Sequence, residues 1–258
     1  HLFCPDIQYN CGMGFETLEK ALKDRGITLN ETMRMQLDEY AGYLKEYNEK
    51  INLTAITEYE EVLDKHFYDS LLAANGDLKG ILADVGTGAG FPGVVLKIVF
   101  PDLHVVLIEP LHKRCVFLES LIEKLALKGI EVVNERGEDH SLSHREAYDY
   151  VTARAVSNLN GLIEVCGAMV KKDGWLFYNE SLIDRAANRD DIQAVAVPVA
   201  ERANALGSDK VANMVMLGEV VRKTGIVSVE SVFTVFEKVF SGRKAAFIPL
   251  NKQAFLGE

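Results

Sequence analysis

Asp84-Val-Gly86-Thr-Gly88-Ala-Gly90-Phe91-Pro92-Gly93 is the stretch on which the reading of this chain turns. It follows a short apolar run, ILADV (81–85), and opens a helix-like segment over 91–99. Glycines at such a strand-to-helix turn permit positive φ and let a ligand approach the backbone. In open α/β sheets, ligands bind in the crevice beyond the carboxyl ends of the strands. The spacing is G-x-G-x-G, with Asp84 two residues before the first glycine. A dinucleotide fingerprint, G-x-G-x-x-G, would need glycine where Phe91 stands, so a nicotinamide site fits poorly. Glu109 closes the next apolar run, 19 residues beyond Gly90. A carboxylate there can accept both ribose hydroxyls of a bound nucleoside. The plainer readings are a tight turn without a ligand and an exposed loop glutamate. Asp84 and Glu109, at the ends of neighbouring strands with the glycines between them, support each other against those readings.

Working outward, HVVLIE (104–109), IEVVN (130–134), YDYVTA (148–153) and WLFYN (175–179) continue the strand series. Helix-like segments over 111–127 and 158–171 lie between them. Strands alternating with helices predict right-handed βαβ units and a mainly parallel sheet, with five strands between 81 and 180. Upstream, Leu18, Ala21 and Leu22, then Met33, Leu37, Tyr40, Leu44 and Tyr47, fall at three- and four-residue steps. They predict two helices, with Asn30 placed to cap the second. A third helix is expected from Glu58 to about Ala74. Residues 182–223 are ambiguous except for a helix expected from Lys210 to Lys223. Downstream, VSVESVFTVF (227–236) and KAAFIPL (244–250) read as two strands of an antiparallel hairpin. The expected organisation is a helical N-terminal cap over 1–79 and an α/β domain over 80–258, integrated as one unit.

The chain has 258 residues, 48% hydrophobic and 26% charged, which excludes global disorder. Its net charge is −10 and its pI about 5.2. Residues 1–79 carry 8 Lys and Arg against 15 Asp and Glu. Nucleic acid would have to be held by a local basic patch rather than by bulk charge. Lys113, Arg114, Arg136, Arg145, Arg154, Lys171 and Lys172 are the candidates for such a rim; a solvated scatter of charges is the alternative. Cys4, Cys11, Cys115 and Cys166 lack metal-ligand spacing, so free thiols are expected and no metal. No run is long and apolar enough for a membrane span. The N-terminal run HLFCPDIQYNCGMG does not read as a signal peptide. A cytoplasmic monomer with no membrane partner is expected.

The glycine loop with a ribose-binding acid after the second strand resembles class I S-adenosylmethionine-dependent methyltransferases. DVGTGAGFPGVVLKIVFP (84–101), HKRCVFLESL (112–121), RGE (136–138), YDYVTARAV (148–156), YNEKINLTAIT (47–57) and KHFYDSL (65–71) are similar to the RsmG family. That family, also called GidB or glucose-inhibited division protein B, methylates guanine N7 in bacterial 16S ribosomal RNA. The resemblance runs from about residue 16 to 178. It implies a Rossmann-like, mainly parallel seven-stranded sheet with an N-terminal helical cap. It also implies S-adenosyl-L-methionine as cofactor, and 16S ribosomal RNA or the small ribosomal subunit as partner. By the same resemblance Asp84, Gly86, Gly88, Gly90, Phe91 and Glu109 belong to the cofactor pocket. Gly137 and Glu138 match a pair beside the adenine, and Arg154 matches an arginine between cofactor and substrate. Asn52, His66 and Asp69 match recurring cap positions on the RNA side, joined there by Lys113 and Arg114. Taken alone, His66 would be a structural histidine and Arg154 a surface ion-pair residue.

The chain departs from that family at Glu180, where a lysine is expected. It is longer over 182–225. It also carries PLNKQAFLGE (249–258) where the family has a basic, proline-containing segment. These departures keep open a methyltransferase with another substrate and an RNA-binding relative without transfer activity. Guanine N7 has a lone pair and no proton, so its methylation calls for orientation rather than a general base. Arg154 is therefore expected to position substrate, and no acid/base dyad is expected. N7 lies in the deep, narrow major groove of A-form RNA, so an unpaired or irregular target is expected.

Overall fold

The computed structural model describes residues 14–23, 27–72, 78–153, 159–179, 189–208, 211–224, 228–239 and 242–257. Two helices open it, α1 (Phe15–Lys23) and α2 (Glu31–Asn48). Asn30 caps α2 by accepting the Met33 N–H at 2.9 Å, as its residue type suggests. A continuous helical run follows: α3 (Tyr59–Val62), a π-helical turn (Leu63–Tyr68) and α4 (Asp69–Leu72).

The strands β1 (Gly80–Val85), β2 (Leu103–Ile108), β3 (Ile130–Val133) and β4 (Tyr150–Ala153) form one parallel sheet in the order β3-β2-β1-β4. Asp84 lies opposite Leu107 on one side and Thr152 on the other. The connecting helices are α5 (Gly93–Val99), α6 (His112–Lys124) and α7 (Gly137–Ser143). Strand order reverses at β1, where the chain leaves β3 and crosses back to β4. That places the crevice favoured by ligands at the carboxyl ends of β1, β2 and β4.

Period-two alternation sorts the strand side chains onto two apolar faces. Leu82, Leu103, Val105 and Leu107 pack with α5, α6 and the N-terminal helices, in one cluster that includes Leu18, Leu37, Leu44 and Phe67. Ala83, Val85, Val106 and Ile108 pack with Tyr148, Val165 and Met169, the last two on α8 (Leu159–Met169). The N-terminal helices therefore share their core with one face of the sheet. Lys97 is buried in α5, and burial lowers its pKa. Its ammonium stays satisfied by donating to the carbonyls of Pro101 and Leu103 at 2.7 and 2.5 Å.

Two expectations are corrected beyond β4. β5 (Trp175–Asn179) does not extend the first sheet. It pairs in parallel with β6 (Gln193–Val197), a strand within the segment that is ambiguous in sequence. Among the described residues the main sheet thus has four strands, not seven, with a separate pair beside it. The expected C-terminal hairpin is helical: α11 spans Val229–Val239, a 3-10 turn spans Gly242–Phe247, and α12 spans Ile248–Leu256. The physical reason lies in the spacing. Val229, Val232, Phe233 and Phe236 recur at three- and four-residue steps, and that face packs with Phe255 and Val221. Their β-branched and aromatic character is what suggests a strand. α9 (Val199–Ala205) and α10 (Ala212–Thr224) complete this part, the latter where a helix is expected.

Candidate functional site

The loop between β1 and α5 is built around one carboxylate. Asp84 has no exposed surface. Its Oδ2 accepts from the Thr87 hydroxyl at 2.7 Å and from the Gly93 N–H at 2.9 Å. Its Oδ1 accepts from the Thr152 hydroxyl on β4 at 3.1 Å. Asp84 thereby ties both ends of the loop to the sheet from beneath. Gly93 must lack a side chain, because a Cβ there would lie 2.5 Å from Leu107 Cδ2 and 2.8 Å from Asp84 Oδ2. Gly90 adopts φ +99, and a Cβ there would lie 2.7 Å from Val94 and 2.8 Å from the Tyr40 hydroxyl. At Gly88 the same construction meets, among the described residues, only the Gly86 carbonyl, at 3.9 Å.

The N-terminal helices close the other side of the loop. Tyr40, fully buried on α2, donates its hydroxyl to the Ala89 carbonyl at 2.6 Å. Its ring stacks on Phe91 at 5.3 Å, and Phe91 stacks in turn on His66 at 4.2 Å with the planes 10° apart. His66 lies in the π-helical turn and shares a 3.0 Å hydrogen bond between Nε2 and the Thr54 hydroxyl. Asn48 shapes that neighbouring segment by accepting the N–H groups of Leu53 and Thr54 at 2.8 and 3.0 Å. Asn52 is exposed within the segment, and Asp69 is half-buried at the start of α4.

Glu109 lies just past the end of β2, about 1% exposed. It reaches across to the glycine loop, accepting the Gly88 N–H at 3.0 Å on Oε2 and the Leu111 N–H at 3.0 Å on Oε1. A carboxylate has about four acceptor positions, and these two hydrogen bonds take up half of them. Arg114 Nη1 stands 3.8 Å from Glu109 Oε2. The buried Arg114 Nε meets no acceptor among the described residues. Gly137 begins α7 beside β1, where a Cβ would lie 2.6 Å from Val85 Cγ1, and Glu138 follows it, exposed. The structure thus brings Gly86, Gly88, Gly90, Phe91, Glu109 and Gly137 to the carboxyl ends of the strands. Asp84 sits under them rather than facing out. Arg154 and Glu180 lie outside the described residues.

The basic rim divides by position. Lys113, Arg114 and Arg136 follow β2 and β3, at the carboxyl ends of the strands. Lys171 sits at the opposite end, donating at 2.7 Å to Asp149, whose other oxygen accepts the Ile81 N–H near the start of β1. Arg145 precedes β4 and belongs to that far end too. A six-residue strand separates the two ends by about 17 Å, too far for one patch.

Tyr40 carries no sequence signal that selects it for the site, and Asn48 and Thr152, though inside stretches that carry the resemblance, are not singled out there. Tyr40 reads as core because it fits the apolar stripe of α2. Cys115 and Cys166 are both buried, and burial raises both thiols, Cys166 to about 12. Burial disfavours the thiolate at both, so neither is activated as a nucleophile. Glu135, His140 and His144 place one ligand-type atom each within 4.8 Å of one another. The two imidazoles, however, are stacked 3.9 Å apart with planes 5° from parallel, so their in-plane lone pairs do not converge on one ion. Both His140 nitrogens are also engaged, Nδ1 with Glu135 and Nε2 with the Tyr148 hydroxyl. No helix among the described residues is long and apolar enough to cross a membrane.

A family model described as GidB, rRNA small subunit methyltransferase G, matches residues 33–203. A curated relative from Staphylococcus carnosus (strain TM300), named Ribosomal RNA small subunit methyltransferase G, is 47% identical over 170 residues. That alignment covers 63% of this chain and 70% of that protein. One of the same name from Listeria welshimeri serovar 6b is 41% identical over 204 residues, covering 77% of this chain and 82% of that protein. Among solved structures, a precorrin-6y C5,15-methyltransferase from Geobacter metallireducens GS-15 aligns with a TM-score of 0.38 at 15% identity. It covers 47% of this chain and 61% of that one.

Proposed function

The chain belongs to the rRNA small subunit methyltransferase G family, and on that premise we propose that it transfers a methyl group from S-adenosylmethionine to N7 of a guanine in 16S ribosomal RNA. The observation that carries the cofactor half of this reading is the pairing of Glu109 with the Gly88 N–H across the ends of β2 and β1. When bound, S-adenosylmethionine supplies a methyl group activated by the adjacent sulfonium.

The protein's part is to hold and to orient. Glu109 is assigned to the two ribose hydroxyls, beside its hydrogen bonds from Gly88 and Leu111. Gly88, without a side chain, lets the ligand approach the backbone. Phe91, fixed between Tyr40 and His66, keeps the loop in one shape. Gly137 and Glu138 are assigned to the adenine side, and Arg154 to the boundary between cofactor and RNA. Asn52, His66 and Asp69 line the RNA side with Lys113 and Arg114. N7 needs no base to remove a proton, so correct placement of the guanine carries the catalysis. The buried, high-pKa thiols are in keeping with direct transfer rather than a covalent enzyme intermediate.

The test is to incubate the protein with small ribosomal subunits, or with 16S RNA, and labelled S-adenosylmethionine. N7-methylguanine is then mapped by borohydride reduction and aniline cleavage. One labelled site, cleaved by that chemistry, is expected. Label in RNA that resists cleavage would overturn the N7 assignment. Label confined to protein or small molecules would overturn RNA as substrate.

A further inference from the structure

Glu109 is useful as a ribose acceptor only if its carboxylate is aimed, and the aim is set from a neighbouring strand. Asn134 follows β3. Its side-chain amide donates to the Glu109 carbonyl at 2.9 Å and to the Pro110 carbonyl at 3.1 Å. An Asn amide has two hydrogens, and both are spent on these consecutive carbonyls. From α6, the Cys115 thiol donates to the same Glu109 carbonyl at 3.2 Å. The Pro110 carbonyl belongs to the peptide unit whose other end is the Leu111 N–H, and that N–H donates to Glu109 Oε1. A peptide unit is planar, so fixing its oxygen also fixes the direction of its N–H. The path from Asn134 runs through the Pro110 carbonyl and the Leu111 N–H to the Glu109 carboxylate.

We propose that Asn134 is a positioning residue for cofactor binding, orienting the Glu109 carboxylate through the 110–111 peptide. The proposal rests on the reading of Glu109 as the ribose acceptor. A merely structural Asn134 would join the ends of β2 and β3 and leave ligand affinity alone.

The test is calorimetric binding of S-adenosylhomocysteine to Asn134→Ala, Glu109→Ala and the double variant, with melting temperatures taken with and without ligand. Asn134 is exposed, so the substitution opens no core cavity. Asn134→Ala is expected to weaken binding about five- to tenfold. In the Glu109→Ala background the same change should cost less than about twofold, since a residue acting through Glu109 has nothing left to aim. Asn134→Asp is isosteric, has no donors and sets a negative oxygen against the two carbonyls. It should weaken binding more than alanine does, and it serves if the alanine variant fails to fold. Unchanged affinity in both Asn134 variants, with Glu109→Ala weakened, overturns the proposal and leaves the ribose reading standing. Full additivity in the double variant also overturns it. Unchanged affinity in Glu109→Ala overturns the ribose reading itself, and the proposal with it.

Discussion

At the scale of single residues, Asp84 and Glu109 look alike in the sequence: an acid at the carboxyl end of each of two successive strands, with the glycine loop between them. Their surroundings divide the work. Asp84 spends its carboxylate on three donors, Thr87, Gly93 and Thr152, whereas Glu109, equally buried, accepts two backbone N–H groups, from Gly88 and Leu111. Asp84→Ala should therefore act first on the fold. It leaves the buried Thr87 hydroxyl and Gly93 N–H without their acceptor, at about 1–3 kcal/mol for each unsatisfied group. Urea unfolding should show stability lowered by at least about 2 kcal/mol, while Glu109→Ala should change ligand affinity far more than stability. This distinction is not legible in the sequence, because spacing locates a carboxylate but does not say which hydrogen bonds reach it. At the far end of the sheet, the hydrogen bond from Lys171 holds the Asp149 carboxyl below the usual carboxylate range. A carboxyl with a depressed folded-state pKa adds stability above its unfolded pKa, near 4, and loses it as pH falls through the folded value. Denaturation between about pH 6 and pH 3 should accordingly show a smaller acid-dependent loss in Lys171→Met than in the parent.

At the scale of elements, legibility follows periodicity. The α2 stripe, the Asn30 cap and the strands around the glycine loop are readable because each pattern has one period and one set of turn signals. The C-terminal run VSVESVFTVF misleads, because residue type suggests a strand while the spacing of Val229, Val232, Phe233 and Phe236 is already helical. Tertiary packing against Phe255 and Val221 settles it as α11. Phe236 is 5% exposed in that packing, and Phe236→Ala should cost about 3 kcal/mol. A hairpin with Phe236 on an open face would lose far less, so thermal unfolding of this variant separates the two structures. The π-helical turn has no comparable signature in the sequence. Its effect is nonetheless local and visible, in the placement of His66 against Phe91.

At the scale of the whole molecule, a net charge of −10 must be reconciled with a polyanionic partner. The sequence offers seven basic candidates, and only the fold says which of them share a side. Lys113, Arg114 and Arg136 stand at the carboxyl ends of the strands, with Lys171 and Arg145 across the sheet. Lys113→Ala should weaken RNA binding and make the salt slope shallower by about 0.7–0.9, the value of one phosphate no longer neutralised. Lys171→Ala should leave both unchanged in a salt titration. The shared core beneath the glycine loop has a further consequence, in time rather than in space. Tyr40 joins α2 to the Ala89 carbonyl, so the N-terminal helices and the loop should open as one cooperative unit. A ligand that binds against the loop would then slow amide exchange along α2. Deuterium uptake there, measured with and without S-adenosylhomocysteine, would record the loop's occupancy, and Tyr40→Phe should blunt that protection.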